Sequence, residues 1–309
     1  MTSAAPPPPG DGGHDDYDEL GFLADNAAEA GLPFDPGEPP LVRRTAVDLP
    51  SGATISALVW GEGPPELILL HGGAQNAHTW DTTALALGVP LVAIDLPGHG
   101  HSSWRPTADY TPASMADDVA VAAGVLAPGA TTLVGMSMGG LTAIALLHAH
   151  PHVAARLALV DITPGVDRQK ASAVLAFVAG PPTFDNFDAI LERTVAHNLT
   201  RSRSSLERGV RHNARPNPDG TWSWRYDRRS PDRAATMLNR TDLWDALGGL
   251  SHPLLLARGS LSPVVGNDDV AHLNTLRPDA RVVVVDGAGH SIQGDRPVEL
   301  AGLLRDYHA

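Results

Sequence analysis

The chain has 309 residues, 43% of them hydrophobic, which suffices to bury the core of one large α/β domain or two modest ones. It contains no cysteine, which excludes disulfides, thiol nucleophiles and thiolate metal sites. Of the formal charge of −13, nine negative charges fall in residues 1–40, where there is no Lys or Arg; that leaves −4 for the rest and argues against a nucleic-acid partner.

Residues 1–16 are rich in Pro, Gly and Asp and read as disordered. The start lacks the basic head and apolar run of a secretory signal, and no apolar run approaches the ~20 residues that cross a bilayer. A cytoplasmic protein with no membrane partner is the expectation. Tyr17–Ala30 patterns as a short helix, with Asp15 or Asp16 as cap and Gly31 as stop. Its apolar face lies across the main domain or belongs to a weakly packed tail, and residues 1–40 are read together as an acidic extension.

From Leu41 the pattern becomes regular. Val42–Leu49 and Ala53–Trp60 read as a strand pair around Pro50-Ser51-Gly52. Apolar runs follow at Glu66–Leu70, Leu91–Ile94, Thr131–Gly135, Leu157–Val160, Pro253–Ala257 and Arg281–Val285. Such continuous runs suit parallel strands covered on both faces. Helices are predicted between them: one from the cap Thr111 and first-turn Pro112 to Leu126, then Met138–His150, Asn267–Leu276 and Pro297–Tyr307. This alternation predicts a doubly wound, mostly parallel sheet built from residues 41–163 and 253–309. The intervening 164–252 breaks the rhythm, has no strong strand signal, and is expected to form a helical cap after the sixth strand.

The run Gly135-Met136-Ser137-Met138-Gly139-Gly140 carries the chemistry. A serine is a weak nucleophile until a base takes its proton, and it must be presented where a carbonyl can reach it. A sharp strand-to-helix turn presents it, and small residues two before and two after let strand and helix crowd together. Gly135 and Gly139 meet that need, directly after an apolar strand and before a helix. The turn also puts Ser137 at a helix N-terminus, so the Met138 amide is one expected oxyanion donor. The second is expected from His71-Gly72-Gly73-Ala74, with the Gly73 amide favoured over that of Ala74.

These runs, with Asp95-Leu96-Pro97-Gly98-His99-Gly100 and Gly287-Ala288-Gly289-His290, occur in the order of the α/β-hydrolase superfamily. Over residues 41–308 the chain resembles its single-cap serine hydrolases, a branch of esterases, lactonases and carbon–carbon bond hydrolases. The resemblance implies an eight-stranded sheet, no cofactor, structural roles for Asp95 and His99, and His290 as general base. His148, His150 and His152 flank Pro151 at a helix end, with no acidic residue near them in sequence to complete a metal site.

The resemblance puts the third triad member about three residues after an Arg-Gly or His-Gly. Here that loop reads Arg258-Gly259-Ser260-Leu261-Ser262-Pro263, without an acid. Asp161, ending the Leu157–Val160 strand, is the preferred replacement, as in certain lactonases and dehalogenases of this fold. Asp268 or Asp269, and a dyad without acid, stay open. Trp80, Met136, Trp222 and Trp224 are the candidate pocket residues, and Arg225 is read as a carboxylate site or a partner of Asp227. Together these predict an esterase or lactonase acting on an apolar or aromatic ester, with a zearalenone-type macrolactone as one variant. The alternatives are hydrolysis of a carbon–carbon bond in a vinylogous diketone and a ligand-binding receptor.

Overall fold

The structure, a computed structural model, describes residues 17–229 and 240–308. Helix α1 (Leu23–Ala30) ends at Gly31 in the left-handed conformation, as its sequence predicts, but starts later than expected. Asp18 folds residues 18–21 into a turn, its side chain accepting from the Leu20 amide and its carbonyl from the Gly21 amide. Asp15 and Asp16 lie outside the described residues.

Strands β1 (Val42–Asp48) and β2 (Thr54–Trp60) pair antiparallel. There follow β3 (Leu67–Leu70), α2 (Asp81–Leu87), β4 (Leu91–Ile94), α3 (Pro112–Leu126), β5 (Thr132–Met136), α4 (Met138–Ala149) and β6 (Arg156–Val160). The Thr111 hydroxyl caps α3 by accepting from the Ser114 amide, with Pro112 in the first turn. Every residue of β3, β4 and β5 is buried, as a strand covered on both faces requires.

After β6 the chain leaves the sheet through α5 (Ser172–Val178), β7 (Thr183–Phe184), α6 (Phe187–Ala196), α7 (Arg203–Asn213), β8 (Ala214–Pro216) and β9 (Trp222–Trp224). The cap is therefore not purely helical: β7, β9 and β8 form a small antiparallel sheet. Strands of two or three residues leave too short an alternation to read as strand. The chain returns by α8 (Thr241–Gly249), β10 (Leu254–Gly259), α9 (Asn267–Leu276), β11 (Arg281–Val285), the single turn α10 (Ile292–Asp295) and α11 (Pro297–His308). Although α8 falls in the span expected for the cap, it packs on α4, and its Leu243, Trp244, Ala246 and Leu247 join the main core.

The eight-stranded sheet has the order β1-β2-β4-β3-β5-β6-β10-β11, parallel from β4 onwards. Side chains of α3, α4, α8 and α9 share one apolar cluster on one face, and α1, α2 and α11 contribute to a second on the other. This sandwich fixes the C-terminal ends of β3, β5, β6 and β11, from which the loops bearing the predicted site residues emerge. Among the described residues no helix is long and apolar enough to cross a membrane.

Candidate active site

Ser137 sits between β5 and α4 with φ 50° and ψ −120°, a backbone conformation that L-residues rarely adopt. The packing around it leaves no alternative. A Cβ on Gly135 would stand 2.5 Å from the Gly139 carbonyl oxygen, and one on Gly139 would meet the carbonyl oxygens of Leu70 and His71 at 2.5 Å. Strand β5, helix α4 and the end of β3 thus converge on backbone contacts that only glycine permits. The Ser137 amide donates to the Val160 carbonyl at 3.2 Å and its carbonyl accepts from Gly140 at 2.8 Å, which holds the turn.

His290 follows β11, and its Nε2 lies 3.1 Å from Ser137 Oγ. Its Nδ1 lies 2.8 Å from Asp161 Oδ2. Asp161 is fully buried, again at φ 50°, in the turn that leaves β6. Its Oδ1 accepts from the Gly259 amide at 2.9 Å, and its Oδ2 also accepts from the Ser262 hydroxyl. Ser262 occupies the loop that carries the acid in the resembled hydrolases, and it reaches across to the carboxylate on the neighbouring strand. Asp268 and Asp269 are not near His290: both pair with Lys170, at 2.9 and 2.7 Å, and Asp269 also caps α9 through the Gly266 amide.

In the turn after β3, the Gly72 amide donates to Gln75 Oε1 at 3.0 Å and the Ala74 amide to His99 Nε2 at 3.3 Å. Those two bonds leave Gly73 as the amide of this turn with no protein acceptor among the described residues. Met136 and Met138 flank it. The Met136 sulfur fills the space a Gly72 Cβ would need, and the Met138 sulfur lies 3.8 Å from the corresponding point on Gly73. Asp95, fully buried, accepts from the Ala77 amide at 2.7 Å and from Arg44 at 2.8 Å, tying this loop to β1 and β4.

The sequence pattern of the alpha/beta hydrolase fold family matches residues 65–297, from β3 through the cap to the loop of His290. The chain belongs to that family. Esterase Rv0045c of Mycobacterium tuberculosis is 42% identical over 295 residues, covering 93% of this hydrolase and 95% of the relative. The crystal structure of that esterase superposes with a TM-score of 0.80 at 40% identity, over 94% of this chain and 98% of the other. A 2-(acetamidomethylene)succinate hydrolase of Mesorhizobium japonicum is 28% identical over 79% of this chain and 87% of its own.

Several side chains of the hydrolase lie elsewhere than expected. Trp80 is fully buried in the apolar layer between the sheet and α2, because the turn carrying it directs the ring to the sheet. Trp222 packs edge-on against Phe187, while Trp224 reaches a cavity between cap and core. That cavity, about 140 Å³, is walled by α6, α7, the Gln75 turn and the residues after His290, and its wall mixes polar side chains with Phe177, Leu206, Val210 and Trp224. Asp227 pairs with Arg229 and Tyr110, and Arg225 sits over the Tyr17 ring. His150 finds an acidic partner remote in sequence, Asp117, at 3.0 Å.

Sequence reasoning missed the contacts between the cap and the turn after β3. Asn213 at the end of α7 donates to the Ala74 carbonyl at 2.5 Å, and Asn76 donates to the His212 carbonyl at 2.9 Å. Nothing in the local pattern of α7 signals those contacts.

His78, Asp81 and His212 lie close enough for one metal ion, but the two imidazoles stack at 3.8 Å with planes 9° apart. Ring-nitrogen lone pairs lie in the ring planes, so parallel rings do not converge on a common ion. The cluster works instead as a charge network. Burial opposes a charge on His78, yet the Asp81 and Glu19 carboxylates outweigh it and hold the imidazolium up to about 9. Burial and the His78 charge keep His212 neutral, well below its ordinary value. Burial likewise works against Glu19, but His78 and Arg44 bring it down to about 2.

Proposed function

We propose that this carboxylic ester hydrolase works through an acyl-enzyme on Ser137. The observation that carries the reading is the continuous hydrogen-bonded line from Asp161 through His290 to the Ser137 hydroxyl. In this reading His290 takes the proton of Ser137 as the oxygen attacks the ester carbonyl, then returns it to the departing alcohol. Asp161 fixes the tautomer that leaves Nε2 free to accept and stabilises the imidazolium. The amides of Gly73 and Met138 take the oxyanion, each worth about 3 kcal/mol in the transition state. Water activated by the same His290 then releases the acid. No cofactor enters any step.

A lactone is an ester whose two products stay joined, so ring-opening uses the same residues, and a macrolactone is the cyclic variant of this proposal. Labelling by a fluorophosphonate, a phosphorus analogue of the tetrahedral intermediate, tests the reading. Stoichiometric labelling of the unaltered enzyme that disappears in Ser137→Ala is expected. Failure to label, with 4-nitrophenyl esters left intact, would refute acyl chemistry at this serine and leave a ligand-binding role.

A further inference from the structure

The cavity between cap and core has no place in the steps above, and its wall is electrically one-sided. It carries Arg201, Arg208 and the His78 imidazolium, and no Asp or Glu among the described residues. Arg208 is neutralised: its Nε donates to Asn26 at 2.7 Å and its Nη2 to Glu29. Arg201 is not. Its guanidinium donates only to Ser205, to Oγ at 2.7 Å and to the carbonyl at 3.3 Å, and no carboxylate lies within ion-pair distance among the described residues.

The nearest acids are already engaged. Asp295 accepts from the Gly289 amide at 2.7 Å and from the Thr200 hydroxyl at 2.8 Å, and Glu29 is held by Arg208, Ser202 and Ser204. Burial outweighs the more distant charges of Asp295 and Glu29, and pulls the proton affinity of Arg201 below the ordinary arginine range. A half-buried guanidinium without a counter-charge is poorly satisfied unless a ligand supplies one.

The position of Arg201 relates the cavity to the chemistry. It stacks on Gly294, where an added Cβ would meet its Cζ at 3.0 Å, so it rests on the turn that follows His290. Gln75, of the oxyanion turn, lines the same space, as do Ser291 and Gln293. We propose that this cavity receives a carboxylate at the far end of the substrate's acyl chain, with Arg201 as its counter-charge. The proposal rests on the acyl-enzyme reading and names its substrate class: half-esters of dicarboxylic acids.

Two esters of equal chain length isolate the charge: mono-4-nitrophenyl adipate ends in a carboxylate, and 4-nitrophenyl hexanoate ends in a methyl. The enzyme is expected to favour the adipate in kcat/KM by tenfold or more. Arg201→Met should erase that preference through KM, leave hexanoate within twofold, and be partly rescued by Arg201→Lys. Equal rates on the two esters, or an equal loss on both in Arg201→Met, overturns the proposal while leaving the acyl-enzyme reading in place. Inhibition of the unaltered enzyme by free adipate needs no variant: competition at least tenfold stronger than by hexanoate is expected, and equal competition overturns the proposal. Hydrolysis of neither ester would instead count against the acyl-enzyme reading, and adipate binding measured by calorimetry would still decide the subsite.

Discussion

At the scale of single residues, the site is a set of strained or crowded positions held in place by their neighbours. Ser137, Asp161 and Ala74 all have positive φ although none is glycine, and all three stand at or beside the proposed chemistry. Ser262 shows why the acid was hard to place. Its loop is the one in which a carboxylate was sought, but it supplies a hydroxyl that donates to Asp161 Oδ2, the oxygen that faces His290. Ser262→Ala should therefore lower kcat roughly tenfold, the scale of one hydrogen bond to a charged group, with little change in KM or melting temperature. An unchanged kcat would make Ser262 a bystander.

The positions of Ser137 and His290, the proposed nucleophile and base, were legible because each is marked by its neighbours: glycines that allow the turn, and a glycine-rich loop after a strand. Trp80 was misleading. Proximity in sequence to the turn after β3 does not say which way a ring points, and here burial against the sheet decided it.

At the scale of elements, the eight strands of the main sheet fall within two residues of their predicted bounds, since continuous apolar runs between turn residues leave little freedom. The small cap sheet and the late start of α1 were not legible. Both depend on contacts outside their own segments or on a local turn that competes with helix. The elbow gives a sharp element-level prediction. Gly139→Ala would push a methyl into the carbonyl oxygens of Leu70 and His71, which belong to the end of β3 and cannot yield without breaking the sheet. A loss of about 3 kcal/mol or more is expected, seen as a melting temperature lower by at least ~6 °C. Gly124 in α3 is exposed and has open space at its Cβ, so Gly124→Ala should instead stabilise by up to ~1 kcal/mol. Equal effects in the two variants would contradict the packing described for the elbow.

At the scale of the molecule, three parts are tied together through buried charge. Tyr17 and Glu19 precede α1, His78 and Arg44 belong to the core, and His212 ends α7 of the cap. Two of the nine acidic residues in the first forty, Glu19 and Glu29, pair here with Arg44 and Arg208. The network makes stability depend on pH in a definite direction. His78 is raised from its ordinary 6.5 to about 9, so its contribution is complete below pH 6.5 and is lost as pH rises through 9. His212 is depressed, so its contribution is complete above pH 6.5 and is lost as pH falls below it. Burial at the same time raises Asp81, the partner of His78, and so works against the pair; calorimetric scans should still show the melting temperature falling as pH rises from 6.5 to 9.5. His78→Asn should flatten that decline; a decline of the same size in the variant would assign it to other groups.

All three scales meet at Asp161, where a relocated carboxylate, a strained turn and the junction of β6 with β10 coincide. The most direct test compares kcat on one 4-nitrophenyl ester for Asp161→Asn and for Asp268→Asn, with melting curves to verify that both variants are folded. A loss of about 10⁴-fold is expected for Asp161→Asn, the scale seen when a triad acid is replaced by its amide, and no more than a twofold change for Asp268→Asn. A folded Asp161→Asn enzyme with near-normal kcat would contradict the role proposed for Asp161.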